Sequence, residues 1–518
     1  MKDYQVVTQR GIHVNEIDKE LANSHGSDTI PHRSCICTNH RKGSTRITHW
    51  ELSEEEAELL RQDPRILSVQ EHWSNQEGIS IENRAIQNGD FIRDSVAANN
   101  INWGLARCIS QTQNFTPDGP DSYPYALDGT GVDIVIQDSG IEPNHPEWED
   151  ANGVSRFQPI DWAIASGLGF TQSAGFYADY DGHGTHCAGI VAGKTYGWAK
   201  NARIYAQKLA GLEGTGDLGT GITDTFAFDA IRLWHIAKNG ARPTVVNMSW
   251  GVGFNIANPI ISGEYRGTPY NVTTETDIQL WQQYGIQSQI YVSGGIPYRR
   301  LPAQDLAINA EIEDMIDAGI HVCIAAGNDY LKADIPGNID YDNFAQTNTG
   351  TYFYHRPSSP YSERAFIVGN IDNVQAVGNI DRPAQSSKKG PAVNIWAPGT
   401  SIMSTSSNNN NTFNYTQYDY PSDTSYKIMS ISGTSMAAPQ VAGLCALHLQ
   451  ANPKLSPADL FTKIVNDSQS VIADDQSGNN YTNFEGSLLS SENRMLYSKY
   501  GRQPYVALGA STFPSVEL

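Results

Sequence analysis

Short apolar runs alternate with longer amphipathic stretches along most of the chain. The runs with the composition of buried strands are 132–136, 203–206, 244–248 and 320–325. Each lies near a stretch with helical spacing of its apolar residues, such as 225–238 or 305–318. This alternation is typical of α/β proteins. It predicts a doubly wound, mostly parallel α/β sheet with helices on both faces.

The first part of the chain has a different pattern. Residues 1–75 contain strand-like runs and one helical stretch that opens with Ser53 and Glu56, the spacing of a capping box. We predict a small α+β, ferredoxin-like domain here. Residues 76–100 are polar and rich in asparagine and glutamine, which is typical of a linker with a processing site.

A third domain is predicted over 101–518. Polar, tyrosine-containing insertions interrupt its strand and helix pattern near 253–300 and 406–427. Both are longer than ordinary connections, so they are expected to be functional loops or disordered segments.

The net charge and the cysteines indicate which partners and which cellular compartment to expect. The formal net charge of −21 argues against nucleic acid and anionic membranes as partners. The six cysteines are scattered, which is typical of free thiols in a reducing compartment. The first residues lack the apolar core of a signal peptide. We therefore expect synthesis in the cytoplasm, with later release or assembly into a larger particle left open.

Ser435 stands where a turn leads into an apolar helix, in the segment 431–443. The unpaired N–H groups of a helix start favour negative charge nearby. A serine there is suited to attack a carbonyl group and have the oxyanion stabilised. The alternative is an ordinary helix cap.

A serine nucleophile needs a base and a carboxylate that orients the base. His183 lies between glycines at the start of a small-residue run, and Asp138 directly follows a predicted strand. The alternatives are a metal pair of His183 with His186, and a turn aspartate at Asp138.

Asn328 follows another predicted strand and a glycine, so its amide is a candidate donor to the oxyanion. The alternative is an Asn-Asp turn with Asp329. Together the candidates occur in the order Asp, His, Asn, Ser, which differs from the orders in the other large serine hydrolase classes.

With these motifs in register, the chain resembles the subtilase family of serine proteases, and its proteinase K-like branch. The matching segments are 102–107, 138–147, 181–189, 247–251, 325–328 and 433–439. Segment 194–200 continues without the calcium-loop insertion of the subtilisin branch. Residues 63–71 resemble the end of the inhibitory prodomain that precedes such proteases.

The resemblance implies a serine endopeptidase acting on polypeptides through an Asp138–His183–Ser435 triad and an acyl-enzyme. Asn328 would help to hold the oxyanion. It also implies a self-processing zymogen in which residues 1–75 act as an intramolecular inhibitor. The alternative is a non-catalytic structural or binding protein that reuses the scaffold, which the tyrosine-rich insertions suggest.

The resemblance also assigns substrate-binding positions. These are Ser249, Trp250, Gly251, Ala325, Ala326 and Gly327 as walls of the pocket for the P1 side chain, which precedes the scissile bond, and Gly214, Thr215 and Gly216 as backbone partners of the substrate. Trp250 alternatively fills the core beneath the pocket. The position of a calcium carboxylate in this branch falls on Asn394, a poorer ligand. No metal or cofactor is therefore expected.

Overall fold

The computed structural model describes residues 1–23, 27–76, 79–83, 102–110, 125–173, 175–209, 221–272, 277–286, 291–293, 296–372, 381–408, 416–474 and 487–501. In these ranges the strands are β1 Lys2–Thr8, β2 Ile36–Asn39, β3 Ile47–Leu52, β4 Ile66–Glu71, β5 Ile79–Asn83, β6 Asp133–Asp138, β7 Arg203–Lys208, β8 Thr244–Met248, β9 Trp250–Ile256, β10 Ser262–Tyr265, β11 Thr268–Asn271, β12 Tyr291–Ser293, β13 Ile296–Pro302, β14 His321–Ala325, β15 Phe344–Gln346, β16 Thr351–Phe353, β17 Phe366–Ile371, β18 Ile395–Pro398, β19 Ile402–Ser406, β20 Gln417–Tyr420 and β21 Asp423–Ile431. The α-helices are α1 Asn15–Ala22, α2 Glu54–Arg61, α3 Trp103–Ile109, α4 Trp162–Ser166, α5 His183–Ala192, α6 Asp224–Ala237, α7 Asp277–Tyr284, α8 Leu306–Asp317, α9 Thr434–Ala451 and α10 Pro457–Asp467.

The front unit is an α+β sandwich with its own apolar core. Its antiparallel sheet has the order β2-β3-β1-β4. Buried side chains of α1 and α2, including Leu21 and Leu60, pack with Trp50 of the sheet. The predicted capping box is present, because Ser53 accepts from the Glu56 amide and Glu56 accepts from the Ser53 amide. The expected α+β unit is confirmed.

The main unit is built on a six-stranded parallel sheet with the order β18-β17-β14-β8-β6-β7. β6, β8 and β14 are buried along their whole length, which explains the apolar runs at their centres. The strand order reverses between β6 and β8, and in such sheets ligands bind beyond the carboxyl ends at this point. The predicted α/β fold is confirmed.

Both insertions contain regular structure in their described parts. The first contributes to two antiparallel sheets, β11-β10-β15-β16 and β12-β13-β9-β5. The second forms most of a three-stranded sheet, β19-β21-β20. The expectation of loops or disorder is therefore wrong for these strands, because apolar and aromatic side chains such as Tyr270 of β11 are buried in a local core. None of the helices described is long and apolar enough to cross a membrane.

Candidate active site

Asp138 and His183 meet at the carboxyl end of β6. His183 Nδ1 lies 2.8 Å from Asp138 Oδ1, and neither side chain is exposed to solvent. The first turn of α5 approaches β6 closely, because a Cβ on Gly184 would overlap the carbonyl oxygen of Gly140. The sequence-predicted pair is therefore brought together by glycines that let a helix start touch a strand end.

The pKa of the His183 ring is shifted by two opposing effects. Burial lowers it, but the negative charge and the hydrogen bond of Asp138 prevail and raise it well above its usual value. The arrangement stabilises the imidazolium form of His183. A catalytic base needs this stabilisation because it carries a proton during the reaction.

Ser435 lies in the first turn of α9, after Gly433 with φ of +146°. Its hydroxyl donates to the Ser249 carbonyl oxygen at 3.0 Å, and the Ser249 hydroxyl donates to the Ser435 carbonyl oxygen at 3.0 Å. Cys187 links the two sides of the site: its thiol donates to the Ser435 carbonyl oxygen and lies 4.0 Å from His183 Nδ1. The Ser435 hydroxyl thus points to Ser249. The Ser435 side chain must rotate before this hydroxyl can donate to His183.

The amide of Asn328 is held by Thr434, the residue before Ser435. Asn328 Oδ1 accepts from the Thr434 amide at 2.9 Å and from its hydroxyl at 3.0 Å. The same hydroxyl accepts from the Gly327 amide at 3.1 Å. These bonds fix the amide oxygen on Thr434 and direct the amide nitrogen away from it. Sequence reasoning missed Thr434, whose role depends on the meeting of β14 with α9.

The predicted substrate-binding residues fall into three groups. Ser249 lies between β8 and β9, and Trp250 and Gly251 begin β9. Ala325 is the last residue of β14, and Ala326 and Gly327 follow it. Gly214, Thr215 and Gly216 lie outside the described residues. The Trp250 indole donates to Gln137 at 3.2 Å and packs near Phe228, so its side chain fills the core while its backbone borders the site.

The histidine and asparagine considered as metal ligands have other partners. His186 Nε2 lies 3.1 Å from the carbonyl oxygens of Ile402 and Met429, and burial lowers its pKa to about 3. Because the His186 ring is buried and bonded to backbone carbonyl oxygens, it does not fit a metal site shared with His183. Asn394 accepts from the Ile367 amide and donates to the Ala365 carbonyl oxygen, so it ties β18 to β17.

The chain is similar in sequence to known proteins. The profile of the Subtilase family matches residues 129–487. A subtilisin-like protease of Coccidioides posadasii is 28% identical over 366 residues, which cover 70% of this chain and 54% of that protein. Alkaline serine exoprotease A of Vibrio alginolyticus is 25% identical over 447 residues, which cover 86% of this chain and 57% of that protein.

Among solved structures, fervidolysin from Fervidobacterium pennivorans, a keratinolytic enzyme related to subtilisin, superposes with a TM-score of 0.50 at 16% identity. The match covers 96% of this chain and 60% of that one. It shows a shared fold. The chain spans little more than half of the length of the two curated relatives.

Proposed function

Because this chain belongs to the subtilase family, we propose that it is a serine endopeptidase that hydrolyses polypeptides through an acyl-enzyme. The observation that carries the proposal is the buried hydrogen bond between Asp138 and His183 beside the first turn of the helix that bears Ser435. The uninterrupted segment 194–200 and Cys187 in the histidine motif support the proteinase K-like branch.

In the mechanism that we propose, His183 takes the proton from Ser435 Oγ as that oxygen attacks the scissile carbonyl carbon. Asp138 stabilises the imidazolium. Asn328 and the Ser435 amide donate to the oxyanion. The imidazolium then gives its proton to the leaving amine, and water activated by His183 releases the acyl group.

We propose further that the front unit is an inhibitory prodomain whose tail occupies the substrate position. β5 pairs antiparallel with β9, with Glu82 opposite Gly251 and Asn83 opposite Trp250. Trp250 follows Ser249, whose carbonyl oxygen accepts the Ser435 hydroxyl. The tail therefore runs along a proposed substrate-binding edge toward the nucleophile, as an added strand does in peptide recognition.

Buried ion pairs between the two units support this assignment. Arg41 of the front unit contacts Glu311 of α8 and lies 3.5 Å from Asp229 of α6. Arg46 lies 3.2 Å from Asp314 of α8. Removing one partner from such a pair leaves a buried charge, which is strongly unfavourable. The front unit is thus matched in charge to the two helices that it covers.

Self-cleavage is expected within the first few residues after Asn83, inside the predicted linker 76–100. The cut residues lie outside the described part of the chain, and the register of β5 with β9 is the basis of this position. Mass spectrometry of the purified chain should find new termini there, and Ser435→Ala should stay intact. A Ser435→Ala chain that splits at the same bond would show that another protease makes the cut.

A fluorophosphonate probe tests the chemistry itself. After processing and removal of the front unit, Ser435 should form a covalent adduct, and Ser249→Ala serves as a control for labelling of the neighbouring hydroxyl. An unlabelled Ser435 in the opened chain would favour the alternative of a non-catalytic binding protein on this scaffold.

A further inference from the structure

Within α9, the carbonyl oxygen of Ser435 cannot receive the usual helical hydrogen bond. In an α-helix this bond comes from the amide four residues further along the chain. That position in α9 is Pro439, which has no amide hydrogen and whose ring crowds the same carbonyl group. Because Ser435 is fully buried, its carbonyl oxygen needs a donor from outside the helix.

Two side chains from other parts of the chain supply such donors. The Ser249 hydroxyl donates to the Ser435 carbonyl oxygen at 3.0 Å, and the Cys187 thiol donates to the same oxygen at 3.4 Å. Burial raises the pKa of Cys187, so its thiol keeps the hydrogen that it donates. The Asn247 amide donates to Ser249 Oγ at 2.9 Å, and this bond favours an orientation in which the Ser249 hydrogen points to Ser435.

The bond from the Ser249 hydroxyl holds the backbone of Ser435 and leaves its side chain free to rotate. When the Ser435 hydroxyl turns from the Ser249 carbonyl oxygen to His183, the carbonyl group of Ser435 does not have to move. On the other side of Ser435, Asn328 accepts from the Thr434 amide at 2.9 Å. The backbone of the nucleophile is therefore held on both sides while its oxygen rotates.

We propose that Ser249 is a positioning residue for the nucleophile. Its hydroxyl takes the place of the amide hydrogen that Pro439 lacks and keeps the Ser435 backbone within reach of His183. Cys187 is a second and weaker donor, because a thiol forms weaker hydrogen bonds than a hydroxyl. This inference rests on the proposed protease function, since the reaction that it serves is the attack by Ser435.

A matched pair of variants isolates the hydroxyl. Threonine and valine have nearly the same shape, so Ser249→Thr keeps the donor and Ser249→Val removes it with the same change in packing. We compare kcat and KM for one peptide with the processed chains, with kcat expressed per Ser435 that reacts with the fluorophosphonate probe. We expect kcat of the valine variant to be about 10- to 100-fold below that of the threonine variant, with a similar KM, because a misplaced nucleophile reacts slowly.

This measurement separates positioning from a purely structural role. A variant that only folds less well has fewer reactive sites, but each remaining site keeps its kcat. Equal kcat per reactive site in the two variants would overturn the inference. Where neither variant folds, kcat per reactive site of Ser249→Ala against that of the wild-type chain decides in the same way.

Pro439→Ala tests why the donor is needed. This substitution restores an amide hydrogen four residues after Ser435, so the helix can supply the bond itself. Ser249→Ala should then reduce kcat by at least about threefold less in the Pro439→Ala chain than in the wild-type chain, as expected for coupled residues. The same loss in both chains would refute the link to the missing amide.

Cys187→Ala tests the order of the two donors. We expect it to reduce kcat per reactive site less than Ser249→Ala does, since the weaker donor is removed. A larger loss for Cys187→Ala would contradict the assignment of Ser249 as the main donor.

The failure of this inference differs from the failure of the proposed function. A wild-type chain that reacts with the probe and cleaves peptides remains a protease even if the Ser249 variants are as active per site. A wild-type chain that neither reacts nor cleaves loses both assignments.

Discussion

Asp138 orients His183 from a position without solvent contact, which makes this carboxylate the most informative single residue to change. Asp138→Asn keeps the shape but removes the charge that raises the pKa of the ring. We expect kcat for peptide hydrolysis to fall by about 10⁴-fold, with a small change in KM, as in other triads. A loss confined to KM would contradict the proposed role, and circular dichroism would verify the fold.

The pH dependence of hydrolysis follows from the same pair. His183 must be neutral to accept a proton, and its pKa is raised well above 6.5 by Asp138. Activity should therefore be lost as pH falls through this raised pKa, with the acidic limb of kcat/KM above pH 6.5. Asp138→Asn should move that limb to lower pH. An acidic limb at the same pH in both proteins would contradict this cause.

Single residues also show what sequence could and could not predict. Asp138, His183 and Ser435 were identifiable because each stands at a strand end or helix start that its own neighbours predict. Thr434 was not, because its partner Asn328 is far away in sequence and meets it only in the folded chain.

Among the elements, α9 depends on close packing at Gly443. A Cβ on this glycine would lie 2.5 Å from the Trp198 Cβ, so no side chain fits without movement of a buried tryptophan. Gly443→Ala should reduce the free energy of unfolding by about 1–3 kcal/mol, the range for overpacked cores. Gly169→Ala, with open space around the Cβ, is the matched control and should be near neutral. Equal effects in urea denaturation would contradict the packing argument.

Secondary-structure elements were predictable to the extent that their signals are local. β6, β8 and β14 carry short apolar runs, and α2 carries its capping box. The pairing of β5 with β9 joins segments far apart in the chain, so no local pattern indicates it. The second insertion was misjudged because most residues of β20 and of the first half of β21 are exposed or half-buried, and Tyr420 packs in a small core with Ile428.

At the scale of the whole molecule, buried titratable groups lie at the contact between the front unit and the main unit. His72 of the front unit lies 2.8 Å from Asp224 of α6, with Asp305, Arg41 and the His49 ring nearby. Burial lowers the pKa of His72, but the bond and charge of Asp224 prevail and raise it. In the separated units His72 would return toward its ordinary pKa of about 6.5, so its proton stabilises the docked state.

The sign of the resulting pH effect is the same for Asp305, a buried acid near this contact. Burial raises the pKa of Asp305 to about 6. A group whose pKa is raised on docking favours the docked state at every pH below the group's ordinary pKa. This contribution is lost as pH rises through the raised pKa. The contribution of His72 is therefore complete below about pH 6.5 and declines as pH rises through its raised pKa.

The cleaved front unit should consequently be retained more completely at about pH 6 than at about pH 9, by size-exclusion chromatography of the processed chain. His72→Gln keeps a hydrogen-bond donor for Asp224 but does not titrate. In this variant the slope of log Kd against pH should decrease by up to about one over the range in which His72 titrates. The same slope in both chains would show that His72 does not carry the linkage. Tighter retention at alkaline pH would reverse the sign argued from the raised pKa values of His72 and Asp305.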